Sequence, residues 1–152
     1  MGAYKVESIK LFRLIIFNYL VSNGDAHLKN FSLIETETGD YILSPAYDLI
    51  CSRLHVDDTD IALYDGLFAD DYETESFKAN GFYAYDDFFE LGKKAELPQK
   101  IIREELEKFI SKEKAVHEFV GRSFLAEEFK FNYLKLFRRK QKALGYSMTG
   151  VR

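Results

Sequence analysis

Cysteine is nearly absent from this chain: among 152 residues, Cys51 stands alone. No internal disulfide can form, and a reducing cytoplasm is the expected setting. Tryptophan is missing altogether. No apolar run is both long enough and free enough of charge to span a bilayer. The run over residues 11–21 carries Arg13 and Asn18 and lacks a cleavage-like small-residue site. Met1-Gly2 does not open a myristoylation signal, because Val6 occupies the position that needs Ser or Thr. There is no internal repeat, no low-complexity segment, no P-loop and no Gly-rich strand–turn–strand. An excess of positive charge is missing too: 21 Lys and Arg face 25 Asp and Glu, for a net charge of −4. That balance argues against a dedicated nucleic-acid binder and leaves room for a local basic patch.

What is present suits one domain over residues 1–152 with a real hydrophobic core. Hydrophobic residues make up 47% of the chain, which excludes wholesale disorder. Residues 6–21 predict a helix. Ile9, Phe12, Leu14, Ile15, Ile16, Phe17, Tyr19, Leu20 and Val21 leave it almost no polar face, so burial on most sides is expected. Gly24 suits a left-handed turn after it. Residues 31–34 and 41–43 predict two short strands joined by the polar turn 35–40, a β-hairpin. Residues 53–77 are acidic. A solvated loop with a short strand at 61–64 is preferred to a calcium site, because the EF-hand spacing is not met. Further helices are expected over 85–94, 98–111, 115–120 and 123–144, the third stopped near Gly121 and the last ended by Gly145, with residues 146–152 frayed. The fold class expected is α+β, mainly α-helical.

The chemistry concentrates in Asn23-Gly24-Asp25-Ala26-His27-Leu28-Lys29-Asn30, a polar stretch between a buried helix and a hairpin. Such a stretch is expensive unless it faces a cleft or a ligand. Asp25 and Asn30 are separated as the base and the metal-binding amide are in protein-kinase catalytic loops. Asp48, in Ser44-Pro45-Ala46-Tyr47-Asp48-Leu49, follows the hairpin where kinases place a magnesium-binding Asp. On its own, Asp25 is better read as a loop residue capping a turn. Asn30 and Asp48 in register favour the kinase-like reading. A two-metal hydrolase reading of Asp25-Ala26-His27 is weak, since His55 and His117 lack the settings that would complete such a site.

Asn23-Gly24-Asp25-Ala26-His27-Leu28-Lys29-Asn30-Phe31-Ser32 followed by Pro45-Ala46-Tyr47-Asp48-Leu49 resembles the C-terminal lobe of HipA-type toxin serine/threonine kinases, over residues 11–144. The resemblance implies a protein-kinase-like C-lobe. Asp25 would be the catalytic base, and Asn30 and Asp48 would hold Mg2+ beside ATP. His27 would contact phosphate or brace the loop, and Lys29 would either neutralise phosphate charge or remain a solvated lysine. The region holding the nucleotide-binding Lys and its Glu partner is not in this sequence, so an N-lobe in cis or in trans is expected. Family members are bacterial toxins, some acting on glutamyl-tRNA synthetase. A helix-turn-helix antitoxin of HipB type restrains them, and DNA is contacted through the antitoxin complex.

The implied function is transfer of phosphate from Mg-ATP to Ser or Thr of a protein. The alternative is a catalytically inactive kinase-like binding or regulatory module. Lys130, Lys135, Arg138, Arg139, Lys140 and Lys142 give the last helix a basic end. A solvated face complementing the helix dipole is the simpler account, and partner or DNA contact the sharper one.

Overall fold

The computed structural model describes residues 3–57, 59, 61, 66–69 and 71–152. Among the described residues there are six α-helices and one two-stranded antiparallel sheet. The fold is mainly helical α+β, as expected. The helices are α1 (Ala3–Leu20), α2 (Glu75–Asn80), α3 (Tyr85–Lys94), α4 (Gln99–Ile110), α5 (Glu113–Arg122) and α6 (Glu127–Leu144). The strands are β1 (Leu33–Glu35) and β2 (Tyr41–Leu43), paired with Ile34 opposite Ile42. Gly39, at φ 80°, takes the left-handed position in the hairpin turn. The Ser44 N–H to Ser32 O hydrogen bond carries the pairing one step beyond the strands.

The core forms where α1, α3, α4 and α6 meet. Phe12, Ile16, Tyr19 and Leu20 from α1 join Tyr85, Phe88 and Phe89 from α3, Ile102 and Leu106 from α4, and Phe137 and Leu144 from α6. The helical spacing of these residues is why the segments fold as helices with one apolar stripe each. Gly92 permits the close approach of α3 to α4, since a Cβ there would lie 2.7 Å from Ile102. A half-buried ion pair fastens α1 to α4: the exposed Arg13 donates two 2.7 Å hydrogen bonds to the carboxylate of the buried Glu105.

Several expectations are corrected. Burial of α1 on most sides fails for Leu11 and Phe17, which are exposed, Phe17 on the wall of an open cavity it shares with Ile42 and Leu43 of β2 and Phe109 of α4. The left-handed residue after α1 is Ser22, at φ 57°, rather than Gly24. Helix α2 lies in a stretch expected to be loop. Thr74 caps it by accepting the Phe77 N–H, and Gly81 at φ 69° ends it. Helix α5 runs through Gly121, and α6 starts at Glu127, because the Ser123 hydroxyl bonds Val120 O and closes α5.

The chain end is tied down rather than frayed. Asp86 accepts hydrogen bonds from Ser147 Oγ, the Met148 N–H and Thr149 Oγ1, while Arg152 pairs with Glu107 at 2.7 Å. The strand expected at 61–64 falls largely outside the described residues.

Candidate active site

Helix α1 delivers the chain to the loop through a ladder of asparagines. Asn18 Nδ2 donates to Leu14 O, and its Oδ1 accepts from Asn23 Nδ2 at 2.9 Å. The same Nδ2 of Asn23 donates to the backbone oxygen of Asp48 at 3.0 Å, and Asn23 Oδ1 accepts the Asp25 N–H at 3.2 Å. Asn23 is buried, with 2% of its surface exposed, so every partner it has must come from the protein. It joins the end of α1, the backbone of Asp25 and the backbone of Asp48 in one network.

The loop is then closed from two sides. Ser52 Oγ accepts the Gly24 N–H at 2.8 Å and reaches Ser22 O, so the segment after Asp48 packs back on the start of the loop. On the other side Tyr47 donates its hydroxyl to Lys29 O at 2.7 Å and lies 2.8 Å from Ser32 Oγ, which must then be the donor in that pair. Residues 28–30 form one 3-10 turn, with the Asn30 N–H on His27 O. These contacts give a physical reason for the spacing of Ser32 and Tyr47 around the loop and hairpin.

The hairpin returns Asp48 to Asn30, where Asn30 Nδ2 donates to Asp48 Oδ2 at 2.7 Å. Asp48 holds a left-handed backbone, φ 55°, a conformation that costs most residues energy and that Asp and Asn tolerate best. Asn30 Oδ1 and the second carboxylate oxygen of Asp48 accept no hydrogen bond from the described residues. These are hard oxygen donors, the kind magnesium prefers, and two protein ligands suffice when phosphate and water complete the shell. Among the described residues no group of three or more His, Cys, Asp or Glu could hold a metal ion. Two such oxygens could hold a magnesium only together with phosphate and water oxygens.

Asp25 and His27 are both exposed at the loop surface, with His27 Nε2 3.9 Å from Asp25 Oδ1. Lys29 is exposed beside them. The structure thus brings Asn30 and Asp48 into direct contact, and Asp25 and His27 into one another's reach on the same loop. Sequence reasoning left the positioning residues Asn18, Asn23, Ser52 and Tyr47 without a role. The signal for Asn23 was its place between the apolar helix end and Asp25, where a buried amide has several backbone groups to satisfy.

Residues 2–116 match the HipA-like C-terminal domain family, and the chain belongs to that family. Over 104 residues it is 33% identical to "Putative kinase Y4dM" of Sinorhizobium fredii, an alignment covering 66% of this chain and 24% of that protein. Over 138 residues it is 28% identical to a "Putative kinase" of Haemophilus influenzae, covering 86% of this chain and 40% of the relative. The chain therefore spans well under half the length of either.

Proposed function

We propose that this chain is the C-terminal catalytic lobe of a HipA-like kinase that moves phosphate from Mg-ATP to a Ser or Thr hydroxyl of a protein. The observation that carries the reading is the Asn30–Asp48 contact, pinned through Asn23 to the loop that presents Asp25. Phosphoryl transfer asks the protein chiefly to position groups and to stabilise charge, and a fixed loop with oxygen ligands on one side serves both needs.

Asp25 orients and accepts the proton of the attacking hydroxyl. Asn30 and Asp48 would hold magnesium, which when bound neutralises charge on the phosphate oxygens. His27 braces the loop beside Asp25 or contacts the phosphate, and Lys29 offsets phosphate charge. An N-lobe, in cis or in trans, supplies the remaining nucleotide contacts. The kinship with HipA-type toxins supports a place in a toxin–antitoxin pair, with a helix-turn-helix antitoxin of HipB type as partner and an aminoacyl-tRNA synthetase as a substrate to try first.

The test is phosphotransfer by the assembled two-lobe protein. Asp25→Asn should lower the rate by at least about a hundredfold with little change in nucleotide affinity. A wild-type rate in that variant would remove Asp25 from the chemistry.

A further inference from the structure

A cavity of about 270 Å3 that shares no residue with the Asn30–Asp48 pair is lined by Gly66, Phe68, residues 71–74, Phe77 of α2 and Tyr83. Four aromatic residues, Phe68, Tyr72, Phe77 and Tyr83, line it, and the acidic residues Asp71 and Glu73 are among the others that do. We propose that this cavity binds a cationic side chain, the guanidinium or ammonium of an Arg or Lys in a peptide. The proposal does not depend on the phosphotransfer reading.

The chemistry of the walls carries it. Aromatic faces attract cations through the ring quadrupole, more strongly where water is partly excluded. Phe77 and Tyr83 stack at 4.5 Å between centroids, and Phe68 meets Tyr72 edge to face at 5.1 Å. Tyr72 already draws an ammonium from within the chain: Lys94 Nζ lies 4.2 Å from its ring centroid and 5.8 Å from that of Phe68. Lys94 does not line the cavity, so its interior remains free of that group. Asp71 and Glu73 are exposed and neither forms a direct ion pair among the described residues; Lys78, bonded to Glu75 at 3.0 Å, attracts Glu73 only from further away. In the sequence, the stretch between Arg53 and Lys78 holds eight Asp and Glu, these two included, and no Lys or Arg. An anionic ligand would be repelled, and a neutral apolar one would gain nothing from the carboxylates.

The walls are also fixed, which a pocket with selective affinity requires. Thr74 donates its hydroxyl to the buried Asp87 while capping α2. Asp87 in turn accepts the Ala84 N–H at 2.7 Å, so α2 and α3 are locked together. Tyr83 O accepts the Tyr19 hydroxyl at 2.7 Å, and Tyr83 OH accepts the Leu67 N–H at 3.3 Å. Gly66, at φ 79°, is required there, because a Cβ would lie 2.4 Å from Tyr83 OH. Tyr19 is in the last turn of α1, the helix that ends at the candidate active loop. A peptide anchored in this cavity is therefore held on an element rigidly joined to that loop.

The experiment is an NMR and calorimetric titration of the chain with the blocked tetrapeptide acetyl-Gly-Arg-Arg-Gly-amide, beside its Gln-for-Arg counterpart and spermidine, without nucleotide. The Arg peptide should bind saturably and shift the amides of Phe68, Tyr72, Phe77 and Tyr83. The double variant Asp71→Asn/Glu73→Gln, and separately Tyr72→Leu, should each weaken it about threefold or more. Asp71 sits at φ 53°, which Asn tolerates, so the double variant keeps the backbone. Equal binding of the Gln peptide, or affinity indifferent to all these variants, would overturn the proposal. Spermidine binding as tightly as the peptide would overturn the peptide assignment in favour of a free polyamine.

Discussion

The side-chain nitrogen of Asn23 donates to the backbone oxygen of Asp48 at 3.0 Å, across 25 residues of sequence. With Asn23 Oδ1 on the Asp25 N–H, one buried amide sets both carboxylate-bearing segments. Asn23→Ala strips partners from Asn18 Oδ1, the Asp25 N–H and the Asp48 carbonyl together. Unfolding by denaturant should show a loss of about 1–3 kcal/mol. Asn23→Asp should fare no better, since a carboxylate cannot donate to either oxygen. A loss below about 0.5 kcal/mol in both variants would show that the network does not hold the loop.

Ser22 combines two local costs. Its φ of 57° is left-handed, and its buried hydroxyl has no hydrogen-bond partner among the described residues. Ser22→Gly relieves both and should raise stability by about 1 kcal/mol, a rise in Tm of roughly 2–4 °C. Ser22→Val should lower it, since a β-branched residue resists that backbone. A calorimetric scan of the three proteins checks the order.

The Arg13 guanidinium, helped by a hydrogen bond from Lys108 and opposed by burial, holds the Glu105 carboxyl down to about 2 from an ordinary 4.5. A carboxyl depressed in the folded state stabilises fully above its unfolded pKa and loses that contribution as pH falls through the folded one. Stability should therefore drop between about pH 4.5 and pH 2, with this pair accounting for about 2 kcal/mol. Glu105→Gln should flatten that limb, measured as denaturant midpoint against pH. An unchanged acid limb in the variant would mean other carboxylates set it.

At the alkaline end the sign reverses. Burial pushes the Tyr133 hydroxyl up to about 12 from 10. Its contribution is complete below pH 10 and is lost as pH rises toward 12, because the unfolded chain releases that proton first. Tyr133→Phe should remove this part of the alkaline loss, followed by the same denaturant midpoints between pH 9 and pH 12.

Much of this arrangement is legible in the residues. The helical recurrence of Phe12, Ile16, Tyr19 and Leu20 places α1 in the core, and the alternation of apolar segments with the polar turn before Gly39 gives the hairpin. Once the hairpin is drawn, Asp48 has to come back toward Asn30, and it does, at 2.7 Å. What the residues do not reveal depends on partners distant in sequence. Asn23 looks like a loop residue until Asp48 supplies an acceptor, and the chain end looks frayed until Asp86, some 61 residues earlier, accepts the Ser147 hydroxyl. Helix α2 is short and polar, so its cap at Thr74 and its left-handed Gly81 carry the only local signal.

The most direct test of the central claim is calorimetric titration of the chain with ATP, with and without magnesium, on the wild type and on Asp48→Asn. Asn keeps the φ 55° backbone and the bond from Asn30 while removing the charge, whereas Ala would add strain of its own. The account predicts magnesium-dependent binding that weakens at least about tenfold in Asp48→Asn and is unchanged in Asp25→Asn. Wild-type binding that ignores magnesium, or is absent, or is equally strong in Asp48→Asn, would contradict it.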